Sequence, residues 1–117
     1  MNSIFLVACV TPEPVVRTDQ YHKDVEPSKK AKALNGLQLK ALQLMNQQNF
    51  DQAILYFQRA IKVEPRNPLN WHYMAQNYWH LKDFSSCRSM VKRAISYSQF
   101  NEDLKSANNT LLKQCNG

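Results

Sequence analysis

The chain predicts an all-α fold, a short solenoid of two helix–turn–helix repeats followed by one closing helix. Three observations carry that reading. Phe50 returns as Phe84, and Arg59-Ala60-Ile61 returns as Arg93-Ala94-Ile95; both 84−50 and 94−60 equal 34. A constant period of this size marks stacked copies of one supersecondary unit. Apolar residues recur at helical spacing along the repeats. The 117 residues include only two glycines, which with that periodicity argues against a sheet.

Each element has its own signals. Leu34, Leu37, Ala41, Leu44 and Met45 form the stripe of a first helix, which a start near Ser28 would lengthen. The polar run Asn46–Asn49 reads as a turn. Phe50, Ala53, Ile54, Phe57, Ala60 and Ile61 make a second stripe of the same period. Pro65 ends that helix, because proline disfavours α geometry in the residue before it. Asn67-Pro68 opens the third helix with a capping side chain and a first-turn proline. Its stripe is Trp71, Met74, Ala75 and Tyr78, and Phe84, Cys87, Val91 and Ala94 supply the fourth. Asn101 caps a last helix with Glu102 and Asp103 in its first turn, where the helix dipole favours acids. Leu104, Ala107, Leu111, Leu112 and Cys115 give it an apolar stripe; Ser106, Asn109, Thr110 and Lys113 give it a solvated face.

Small residues alternate with large ones for a packing reason. Two helices approach closely only where a side chain is short. Ala41, Ala53 and Ala60 provide such slots in the first unit, and Ala75, Cys87 and Ala94 in the second. The organisation read from these signals is a helical domain over 28–117. Repeat one covers 34–67, repeat two 68–101, and the closing helix 102–115. About three repeats are usually needed for stability, so either the long first helix compensates or the chain self-associates.

From Leu34 to Gln99 the pattern resembles the tetratricopeptide repeat. Trp71, Ala75, Tyr78 and Ala94 occupy that family's positions in unit two, and Ala53, Phe57, Ala60 and Pro65 do so in unit one. Unit one departs at Leu37 and Leu44, and unit two at Cys87, Val91 and Gln99. The resemblance implies a non-enzymatic module that binds a peptide segment or helix of another protein on a concave face lined by the first helix of each pair. The positions it implies for that face are Asn35, Gln38, Leu42, Met45, Asn46, Leu69, His72, Gln76, Trp79 and His80. Some members clamp a terminal carboxylate with Lys, Arg and Asn. Those positions read Gln38, Leu42 and Tyr73 here, so no such clamp is expected. The same resemblance sets the start of a second helix beside the end of the following one, where Cys87 and Cys115 lie. Two separate buried thiols are the preferred reading, with a disulfide as the alternative.

The first 27 residues stand apart from the repeats. Leu6-Val7-Ala8-Cys9 resembles the lipobox of bacterial lipoproteins. That resemblance implies cleavage after residue 8, lipidation of Cys9, and a tether over 9–27 that contains Pro12, Pro14 and Pro27. Residues 1–8 lack Lys and Arg and carry a five-residue apolar run, short of the usual 7–15. The expectation is therefore a signal whose start lies upstream. Val10 after the cysteine points by resemblance to the outer membrane, facing the periplasm. A soluble cytoplasmic adaptor without lipidation is the alternative. Small tetratricopeptide lipoproteins include pilotins, which help assemble secretins; this chain has fewer units than they do.

Other classes are disfavoured. The net charge is +6, from 15 basic and nine acidic residues, but the excess is spread over helix faces and accompanies no nucleic-acid motif. His72 and His80 read as surface or rim histidines. They lie about 12 Å apart along one helix and cannot share a metal ion. No Cys/His cluster has metal-ligand spacing, no dyad is spaced for catalysis, and no cofactor is expected.

Overall fold

The computed structural model describes residues 29–117, and among them it contains five α-helices and no strand. They are α1 (Lys29–Asn46), α2 (Phe50–Val63), α3 (Pro68–His80), α4 (Phe84–Tyr97) and α5 (Glu102–Cys115). Each packs on the next in sequence, and α3 also touches α5. This is the short all-α solenoid that the period predicts, two hairpins and a closing helix. The expectations placed on residues 1–27, Cys9 among them, lie outside the described residues.

The small slots are the closest points of the array. Ala41, Ala53, Ala60, Ala75, Cys87 and Ala94 are all 0% exposed. Phe57, equally buried, fills the space between them and stacks on Tyr73 at 5.5 Å. One apolar cluster joins α1, α2 and α3 through Ala41, Leu44, Ala53, Ile54, Phe57 and Met74. A second joins α3, α4 and α5 through Ala75, Cys87, Val91, Leu111 and Cys115.

Helix ends follow local chemistry. Asn67 accepts from the Leu69 N–H, and Asn101 from the Leu104 N–H. Asp83 does the same for Ser86 at the start of α4. The two intra-hairpin turns are copies of each other. After α1, Asn49 N–H bonds the Leu44 carbonyl and Gln48 N–H bonds Met45. After α3, Asp83 bonds Tyr78 and Lys82 bonds Trp79 in the same way. This is the Schellman pattern, which needs a left-handed residue at its fifth position. Gln48 (φ 61°) and Lys82 (φ 62°) supply it, although neither is glycine.

Two expectations are corrected. Cys87 and Cys115 do not remain separate thiols; they form a disulfide, with Cα atoms 5.7 Å apart, within the span such a bridge requires. Phe84 does not join the core and stays 37% exposed. Its counterpart Phe50 stacks flat on His80 at 4.4 Å. The residue 34 places beyond His80 is Gln114, which offers no ring.

Candidate functional site

A cleft lies between α3 and the start of α5. On α3, Leu69, His72, Tyr73 and Gln76 lie along one face. The start of α5 contributes Asn101, Asp103, Leu104 and Ala107 opposite them. Between the two runs lies an open cleft of about 520 Å³. It mixes apolar wall, amide groups and one carboxylate, and so offers both contact area and hydrogen bonds to an extended backbone.

A polar chain fixes the cleft floor. His72 Nδ1 donates to the Asn108 side-chain oxygen Oδ1, and His72 Nε2 accepts from the Gln76 side-chain amide at 3.2 Å. The Asn108 amide reaches Ser98 Oγ at 3.5 Å, and Ser98 Oγ donates to the Ile95 carbonyl. His72 is therefore no surface or rim histidine: it is 8% exposed, because Asn108 of the closing helix covers it. Asn108, at 0% exposure, takes a core position that the apolar stripe of α5 did not suggest, while Ala107 of that stripe is exposed.

The same device appears one repeat earlier. Gln38 of α1 donates to the Asn70 carbonyl oxygen on α3 at 2.9 Å. Gln38 and His72 are 34 residues apart, so one register position ties each hairpin to the next. Asn70 is fully buried, and its amide nitrogen has no acceptor among the described residues.

The other residues expected on the concave face do not line this cleft. Asn35 and Asn46 are exposed on α1. Leu42 and Met45 are half-buried against the first apolar cluster. Trp79 is 37% exposed and meets the His80 ring edge-on at 5.1 Å. His80 lies on Phe50, so these three rings gather near the intra-hairpin turns, and none of them lines the cleft. Leu69, His72 and Gln76 do line it. Tyr73, Asn101, Asp103, Leu104 and Ala107 were missed as wall residues. Carrying the 34-residue register of Leu69 past Gln99 would have found one of them, since 69+34 is Asp103.

Among the described residues, no three His, Cys, Asp or Glu side chains converge as metal ligands would. No described helix is long and apolar enough to cross a membrane. Residues 34–67 match the tetratricopeptide repeat family, one full period of the array. Comparison with curated proteins and with solved structures finds no match. The architecture is thus a short solenoid of tetratricopeptide type, and tetratricopeptide repeats generally mediate protein–protein interaction, typically without catalysis.

Proposed function

We propose that this protein is a docking module of the bacterial cell envelope, lipid-anchored at Cys9, which holds a peptide segment or helix of a partner in the cleft between α3 and α5. The partner is thereby recruited or assembled at the membrane. The observation that carries the docking reading is the cleft itself. Its donors and acceptors are held in place by the His72–Asn108 chain before any ligand arrives, and preorganisation of this kind lowers the entropy cost of binding. The disulfide supports the envelope reading, because such bonds persist in oxidising compartments and are rare in the cytosol. The lipobox-like Leu6–Cys9 supports the anchor.

Two measurements test the reading. A photo-crosslinking side chain at Gln76 should trap one defined partner in intact cells, whereas the same group at exposed Lys92 should not. Equal trapping at both places would refute the cleft as the binding surface. Metabolic labelling with a palmitate analogue, using the gene with its natural start, should mark the native chain and not Cys9→Ala. A native chain without label would sink the anchor while leaving the cleft reading standing.

A further inference from the structure

The face of α3 turned away from the cleft carries a second hollow. At about 100° per residue, Trp71, Met74 and Tyr78 fall on the side of α3 opposite Leu69, His72 and Gln76. They floor a groove of about 480 Å³, walled by Ile61 of α2 and Met90 of α4. Its floor is rigid: Trp71 Nε1 donates to the Pro65 carbonyl at 2.7 Å, and the Arg93 guanidinium covers the indole at 5.1 Å. Arg59 and Lys62 stand on its rim, and no carboxylate lines it. The ion pair among the described residues is Lys105–Glu102, on another helix. The rim cations therefore have no acidic partner there. Such a groove complements an aromatic or aliphatic side chain that is followed closely by a carboxylate.

The chain carries that combination on its own surface. Phe100, between α4 and α5, is 100% exposed, the extreme among the large apolar side chains. Nothing in the repeat calls for an aromatic there, since its counterpart 34 residues earlier is Arg66. Two positions on stands Glu102, whose side chain is 83% exposed and pairs with Lys105 at 3.7 Å. A surface pair of this kind is easily exchanged for another.

We infer that the groove over Trp71, Met74 and Tyr78 receives Phe100 of a second copy of this chain, with Glu102 of that copy meeting Arg59 and Lys62. Each molecule gives one Phe100 and accepts another, so the same two patches serve on both copies. One aromatic and one ion pair make a small interface. Self-association is thus expected near about 0.1–1 mM in solution, and more readily where chains are confined to a surface. The inference uses the opposite face from the cleft and stands or falls independently of the proposed partner.

The test uses the full chain with Cys9→Ser in every arm, which removes cross-linking through that thiol. Sedimentation from about 10 μM to 1 mM should show a weight-average mass that climbs with concentration. Phe100→Ser, at a fully exposed site, should weaken association at least about tenfold, and Arg59→Glu/Lys62→Glu should do the same. Mixing these two variants should restore a complex that stops at two molecules, because one keeps only the groove and the other only the Phe100 knob. A chain that stays monomeric at about 1 mM, assembly indifferent to Phe100→Ser, or no complex on mixing would each overturn the inference. A monomeric chain whose capture of the envelope partner is abolished by Arg59→Glu/Lys62→Glu would assign the groove to that partner and likewise overturn it.

Discussion

Removing the Cys87–Cys115 bridge should cost this small array a large part of its stability. The bond spans 28 residues of sequence. Closing a loop of that length in the unfolded chain restricts it by about 12 cal/mol/K, or about 3.6 kcal/mol at 25 °C. A domain of this size loses roughly 4–8 °C of Tm per kcal/mol, so the shift should be about 14–29 °C. The perturbation is the double variant Cys87→Ala/Cys115→Ala, which keeps small apolar side chains in two positions that are 0% and 1% exposed. Urea unfolding followed by circular dichroism gives the free energy, and a reductant titration on the native chain gives an independent estimate. Reductant should destabilise the native chain and leave the double variant unchanged. Alkylation of the unfolded, unreduced chain carrying Cys9→Ser should label neither remaining cysteine. Two labelled cysteines, or equal urea midpoints for native chain and variant, would refute the reasoning.

Gln48→Gly and Lys82→Gly should each stabilise by about 0.5–1 kcal/mol in urea melts, because glycine adopts the left-handed turn conformation without a Cβ clash. The two turns belong to different hairpins, so the gains should add. Phe57→Ala should destabilise by about 3–5 kcal/mol by the same assay, since the ring is 0% exposed between two helical layers. The Tyr78 phenol is held above its ordinary pKa of 10.0, first by burial and then by the Asp83 carboxylate. The fold thus favours the neutral phenol, whose stabilisation is complete below pH 10 and fades as pH rises through the folded value. Absorbance titration at the phenolate band should show Asp83→Asn lowering that value.

What the sequence made legible was whatever a single residue type can enforce at a repeated position. The alanine slots follow from helix approach alone, and the period shows them twice, so Ala41 and Ala75 identify one another. Asn67-Pro68 and Asn101 announce their helices because capping is local. The turns were harder. Their left-handed residues are Gln48 and Lys82, types that carry no signal for that conformation, and only the backbone hydrogen bonds reveal the shared motif. The fate of His72 depended on a side chain 36 residues away. Asn108 looks like part of a solvated helix face, yet it sits under α3 because His72 offers it a donor. The family resemblance set Cys87 beside Cys115, but neighbouring thiols and a bridge share that placement. The bond between their sulfurs distinguishes them.

On the proposed reading, α5 both completes the core and walls the cleft. In a one-dimensional stack each helix is held only by its neighbours. Here α5 is held by three different means. Leu111 packs into the second apolar cluster, Asn108 bonds His72, and the disulfide ties Cys115 to α4, with Arg88 also reaching the Cys115 carbonyl at 3.2 Å. The first of these alone would serve a cap. The second ties the cap to the side chain that, with Gln76, fixes the cleft floor, and the start of the same helix supplies Asp103 and Leu104 as the opposite wall. Whatever loosens α5 therefore removes a wall of the cleft as well as a layer of the core. Stability at the end of the array and affinity in the cleft are then linked quantities, since a ligand that binds only the docked arrangement must raise its population. Both roles fall to the fourteen residues of α5, which is a physical reason for a covalent bond on that helix.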